Sequence, residues 1–236
     1  MRSLRGMPTR DARGKAMAKL SCAFVGDLHG NLDALEAVLV EMRARGIDKL
    51  VVVGDLLLPT PEGAWPAARP REVWFRLQEV GAKLVRGVSD TALYTVRPEA
   101  LAPRDDAERR ATARFLDTRR AVGDFVLARI AQLPERHRMP LPDGSEIVAV
   151  HGAPSDPTQE MSHDLDDAEL MALVGDDPAD FVICAGTHVP YLREIGEVRV
   201  INVGSAGAAP EGRVAHVTLL TATPETTSFE QISVAY

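Results

Sequence analysis

The sequence lacks any run of about 18 apolar residues, which excludes a membrane-spanning helix. Cysteine is scarce: Cys22 and Cys184 are the only two, both inside apolar stretches. Two such thiols do not make a disulfide framework, and they suit a reducing compartment, so a cytoplasmic protein is expected. Basic charge is also in deficit, with 27 Lys and Arg against 34 Asp and Glu in 236 residues, a formal net of −7. Such a balance disfavours bulk nucleic-acid binding, which needs a basic face. There is no internal repeat and no low-complexity segment. Histidines number only six, yet His29, His151 and His188 closely follow strand-like runs. What remains, 45% apolar and 26% charged residues, is an ordinary globular balance for a chain long enough to bury a core.

Charge is unevenly spread. The first 19 residues hold six basic groups against Asp11, a net of +5, so the other 217 carry −12. Residues 1–18 show no hydrophobic period and no secretory apolar core, and read as a disordered basic tail or a mis-called start ahead of Met7 or Met17. From residue 19 one domain is expected. Leu20–Val25, 47–53 and 82–86 read as buried strands, separated by helices through Leu32, Leu35, Val38, Leu39 and Met42 and through Val73, Leu77 and Val80. Strand and helix alternating on short links predict parallel strands in an α/β sheet. Residues 91–140 read as a helical insertion with one stripe through Phe115, Val122, Phe125, Val126 and Ile130. Strands follow at 146–150 and 181–185, and four more, at 191–195, 198–203, 214–220 and 228–234, make an all-β end.

Five strands end in small or polar clusters: Gly26-Asp27-Leu28-His29-Gly30-Asn31, Gly54-Asp55, Gly87-Val88-Ser89-Asp90, His151-Gly152 and Gly186-Thr187-His188. Ligand sites of open α/β sheets lie outside the carboxyl ends of the strands, so Asp27, His29, Asp55, His151 and His188 are expected at one edge. A single Gly-Asp or His-Gly is an ordinary turn, but unrelated turns have no reason to place these residues at successive strand ends. Mixed carboxylate and imidazole ligands suit a divalent transition metal such as Mn, Fe, Zn or Ni.

In these motifs the chain resembles the calcineurin-like metallophosphoesterases, above all their small bacterial phosphodiesterase branch, from about Leu20 to Leu220. Asn202-Val203-Gly204-Ser205 is similar to a late Asn-Pro-Gly-Ser element of that branch, with valine in place of proline. The resemblance implies an α/β/β/α sandwich of four layers, in which helices flank two mixed β-sheets. It also implies hydrolysis of phosphodiester or phosphomonoester bonds by a metal-bound hydroxide. It places a first metal on Asp27, His29, Asp55 and His188, and a second on His151 with Asp55 as bridge.

The chain departs from that pattern twice. Val88 stands where the family has an asparagine ligand, and Gly186 where it has a histidine; both belong to the second metal. Three readings stay open: an enzyme working with one ion, a second site refilled by Asp90, Asp156 or His163, or a catalytically silent binding protein like the retromer-type members of the fold. Asp90 is a catalytic candidate, able to orient Ser89 or water, and equally a helix cap. Asn31 and Arg86 are candidates for holding substrate phosphate, Arg86 being equally suited to pairing with an acid. Trp65 and Trp74 fit a substrate mouth or core packing. A small phosphorylated substrate is the expected partner, with a β edge or the insertion available for pairing subunits.

Overall fold

The computed structural model describes residues 19–236 except 62, 64 and 65, so the basic tail and Trp65 lie outside the described residues. Two facing five-stranded mixed sheets form its centre. The first contains β1 (Leu20–Val25), β2 (Leu50–Val53), β3 (Lys83–Val85), β9 (Val214–Ala222) and β10 (Thr227–Ala235), in the order β10-β9-β1-β2-β3. The second contains β4 (Arg136–Pro140), β5 (Glu146–Val150), β6 (Phe181–Cys184), β7 (Pro190–Ile195) and β8 (Val198–Val203), in the order β4-β5-β6-β8-β7. β1, β2 and β3 run parallel, as do β5, β6 and β8, while β9, β10, β4 and β7 pair antiparallel with their neighbours.

Alternation along the strands sorts side chains into three apolar layers, because successive residues point to opposite sheet faces. Cys22, Phe24, Val51 and Val53 meet Ile147, Ala149, Ile183 and Ala185 between the sheets. Ala23, Val25, Leu50 and Val52 face outward onto α1 (Leu32–Arg45), α2 (Pro70–Glu79) and α4 (Asp106–Ile130). Val148, Val150, Val182 and Cys184 face the other way, onto Met161 and onto Leu170 and Val174 of α5 (Asp167–Val174). Strands covered on both faces explain why these segments read as continuous apolar runs. The order helix, sheet, sheet, helix is the four-layer sandwich expected. Trp74 is buried in the helical layer, which settles it as core.

Three local features differ from the sequence expectation. Residues 136–140, read as part of a helical insertion, form strand β4, an edge partner of β5. An exposed edge tolerates the charged alternation Arg-His-Arg, which hid the strand. In α4 the stripe divides at Gly123, whose φ of 72° breaks the helix, and Phe125 points outward beneath Arg129 while Phe115, Val122, Val126 and Ile130 are buried. Helix α5 was not foreseen, although Asp166 and Glu169 form a reciprocal capping box at its start.

The two sheets approach closely where the end of β1 meets the end of β6. A Cβ on Gly26 would sit 2.6 Å from the Ala185 Cβ and 3.1 Å from Val203, both on the second sheet. Gly26→Ala should therefore lower stability by about 1–3 kcal/mol, the usual range for an overpacked core. Urea unfolding measures this, and an unchanged midpoint would show that the sheets can part there freely.

Candidate metal centre

Because β1, β2 and β3 are parallel in one sheet and β5, β6 and β8 in the other, their carboxyl ends open onto a single edge. Asp27 follows β1, Asp55 follows β2, His151 follows β5 and His188 follows β6. The loops after β1 and β2 are laced together, with Asp27 N donating to Gly54 O, His29 N to Asp55 O and Gly30 N to Leu56 O. Asp27, His29, Asp55 and His188 are the only non-glycine residues among those described with positive φ, between 49° and 61°. Left-handed backbone at non-glycine positions is costly and gathers where a site demands it. Here all four strained residues are candidate ligands.

The side chains are aimed as ligands require. His29 Nδ1 lies 2.7 Å from Leu58 O and His151 Nδ1 lies 2.9 Å from Val53 O. A carbonyl only accepts, so both rings hold their proton on Nδ1 and leave the Nε2 lone pair for an ion. His29 Nε2 faces His188 Nε2 at 3.2 Å, a separation that a shared proton or cation makes favourable. Asp27 is completely buried. Its Oδ2 accepts from Gly186 N and lies 3.8 Å from His188 Nε2; its Oδ1 lies 3.7 Å from the His151 ring and accepts no hydrogen bond. Asp55 Oδ1 accepts from Ser89 N and sits 3.5 Å from His151 Nε2.

Two ligand groups result, Asp27 with His29 and His188, and Asp27 with Asp55 and His151. The carboxylate they share is Asp27, whereas the resemblance implies Asp55 as the bridge. Asp27 turns one oxygen to each side, and Asp55 Oδ1, which accepts from Ser89 N, belongs to the second group. A buried oxygen without a donor, and two imidazole lone pairs converging on one point, fit a divalent cation.

The electrostatics agree with that fit. Burial, together with Asp55, pushes the Asp27 carboxyl up to about 8. Asp90 rises to about 7 for the same two reasons. Burial opposes charge on His151, but Asp55 and Asp27 outweigh it and raise the ring to about 9. Burial also opposes charge on Asp55, yet His151, His29 and Ser89 hold it below its ordinary value. Burial and His29 lower His188. The cluster thus retains protons where a cation would otherwise sit.

The remaining candidates have other occupations. Asp90, expected as catalytic, is buried; its Oδ1 accepts from Leu56 N and its Oδ2 from Gly87 N, at the start of α3 (Val88–Thr95). These two hydrogen bonds tie the β2 and β3 loops together. Asn31 caps α1 through Oδ1, while Nδ2 donates to Gly207 O and Tyr236 Oη, so neither amide hydrogen is spare for phosphate. The Arg86 guanidinium turns to Glu135 and Ala131 O, leaving it the acid-pairing role. Asp156 is closed on Thr158 and His163 lies beside Asp164, and neither joins the ligand groups. Three supporting residues went unassigned. Asn202 holds Ala185 O, Thr187 Oγ1 and Gly204 N; Ser205 Oγ donates to Asp27 O; and His216 Nδ1 accepts from Ser205 N. The Asn-Val-Gly-Ser motif signalled the first two. His216, inside an apolar strand, carried no signal.

Raised values have a consequence for the metal-free protein. Asp27, Asp90 and His151 keep protons when folded that the unfolded chain releases at ordinary values, so their contribution to stability falls as pH rises from about 4 to 9, with the lowered His188 acting the other way. The melting temperature of chelator-treated protein should drop between pH 5 and 8, and a divalent ion should restore most of the loss. Asp27→Asn should flatten the profile; an equally steep one in that variant would assign the slope elsewhere.

Residues 20–225 match the calcineurin-like phosphoesterase superfamily domain. Phosphodiesterase YfcE of Escherichia coli strain K12 is 41% identical over 71 residues, 29% of this chain and 39% of that protein. The aligned part therefore spans well under half of that relative. Among solved structures, a hypothetical protein of Pyrococcus horikoshii OT3 superposes with a TM-score of 0.74 at 24% identity, over 92% of this chain and 88% of the other. A metallophosphoesterase of Sphaerobacter thermophilus gives 0.65 at 22% identity, over 91% and 89%. These structures speak for a common fold, and the domain match, which spans most of the sequence, carries the assignment: the chain belongs to the calcineurin-like phosphoesterase superfamily.

Proposed function

We propose that the protein is a metal-dependent hydrolase of phosphate esters, acting on phosphodiesters or phosphomonoesters. The observation that carries this reading is the convergence of Asp27, His29 and His188 on one point, with two Nε2 atoms 3.2 Å apart and a buried carboxylate beside them. A divalent ion, when bound, supplies Lewis acidity toward a phosphoryl oxygen and lowers the pKa of water. Mn, Fe, Zn and Ni all suit this donor set.

The chain's own residues perform the rest. His29 and His151 hold their protons on Nδ1 against main-chain carbonyls, which fixes both rings before substrate arrives. Asp90 fixes the loop carrying Asp55, and Ser205 fixes the Asp27 main chain. Asp55 and His188 retain side-chain exposure, 13% and 24%, whereas Asp27 has none, so substrate approaches from the Asp55–His188 side. A cleft of about 330 Å³ adjoins this edge, lined by Asn31, Arg69, Ala208, Arg213 and Tyr236 among others. It suits the group esterified to the phosphate, with Asn31 as part of its wall. Cys22 and Cys184 are buried free thiols whose values burial pushes up to about 12, which keeps them protonated and suits a cytoplasmic setting.

Hydrolysis of bis(p-nitrophenyl) phosphate and p-nitrophenyl phosphate with added Mn2+ tests the reading. Wild-type protein should turn over at least one of them. His188→Ala should lower kcat/KM on the order of 100-fold or more, the scale for loss of one preorganised electrostatic group. Absence of turnover with each of the four metals would instead favour a silent binding protein on this scaffold.

A further inference from the structure

Both departures from the family pattern strip ligands from the second ion, leaving Asp55, His151 and the free oxygen of Asp27. The structure brings one more acidic side chain to the edge of the gap, its carboxylate lying outside the two ligand groups. A Cβ on Gly186, the position of the missing histidine, would lie 3.6 Å from His151 Nε2, and the side chain it would touch first is Glu160, whose Cγ lies at 3.4 Å. Glu160 thus overhangs the space beside His151 that the absent imidazole leaves open. Its carboxylate is also near enough to His188 to act on that ring.

The backbone on either side of Glu160 is pinned. The preceding turn closes on itself, with Ala153 N and Gln159 N both donating to Asp156 O, and Thr158 capping the Asp156 carboxylate. The following residue, Met161, is fully buried, and its carbonyl accepts from Tyr191 Oη at 2.8 Å. Between two fixed points stands an exposed glutamate with no hydrogen-bond or ion-pair partner among the described residues, although acids elsewhere on this surface are commonly paired with arginine. Gly186 itself has a φ of 86°, a conformation that L side chains rarely adopt, so a ligand at this spot is more readily supplied by another segment.

We propose that Glu160 is a ligand of the second metal ion, replacing the histidine lost at Gly186. The second ion then sits among Asp27, Asp55, His151 and Glu160, three carboxylates and one imidazole. This set is more oxygen-rich than the first, where two imidazoles flank Asp27, and it favours harder ions such as Mn2+ over Zn2+. The proposal deepens the phosphoesterase reading and rests on it, since it presumes an ion on the first group.

Metal-free full-length protein titrated with Mn2+, with bound ion counted after desalting and the spin-coupled manganese pair followed by EPR, tests this without reference to activity. Wild type should bind two ions per chain and show the coupled signal. Glu160→Gln, nearly isosteric and at an exposed position, should keep the first ion, lose the coupled signal and weaken the second ion tenfold or more. Glu160→Asp should fall between them. Two ions at unchanged affinity in Glu160→Gln, or a single ion in wild type, would overturn the proposal while leaving a one-ion hydrolase standing. Failure of wild type to bind any ion would remove both this proposal and the functional reading beneath it.

Discussion

A carboxylate with no exposure to water, one of whose oxygens accepts no hydrogen bond, governs the architecture of this protein. Asp27 sits at the end of β1, the central strand of its sheet, and beside a close approach of the two sheets at Gly26. Burying that charge without a partner is unfavourable by several kcal/mol, so the group must be protonated or meet a cation. Almost every unusual feature nearby follows from this demand. The left-handed backbone at four non-glycine residues, the close packing at Gly26 and the facing imidazoles all direct donors toward a single small volume.

The sandwich delivers those donors because each sheet holds three adjacent parallel strands, β1, β2 and β3 in one and β5, β6 and β8 in the other. Parallel strands share a carboxyl end, and stacking the sheets face to face brings both sets of ends to one rim. Antiparallel β9 returns along β1 and contributes from behind, through the His216–Ser205–Asp27 chain of hydrogen bonds. Strand order, more than any single motif, therefore sets the ligand geometry.

Much of this was legible in the sequence, for identifiable reasons. Buried parallel strands announce themselves as unbroken apolar runs, and a Gly-Asp or Gly-Thr-His directly after such a run lies at the rim; the structure brings Asp27, His29, Asp55, His151 and His188 together there. Residues whose role depends on side-chain direction were not. Arg86 and Asn31 have the right chemistry for phosphate, but one turns to Glu135 and the other caps a helix, and no spacing rule distinguishes these outcomes. Asp90 was visible as a cap or a catalytic group, yet its bond to Leu56 N joins residues 34 apart. Strand β4 was concealed by its charge and Glu160 by its position in a loop remote from any strand end.

The props beneath the histidines are of a particular kind. Leu58 and Val53 hold His29 and His151 through main-chain carbonyls, which persist whatever side chain stands at those positions. A support made of backbone cannot be deleted by a point mutation as a supporting Asp or Glu can. The candidate ligand set is consequently modular: a ligand from a neighbouring loop could replace one of them while the surviving rings stay correctly turned. A chain built this way can carry Val88 and Gly186 and still keep the remainder of its rim in register.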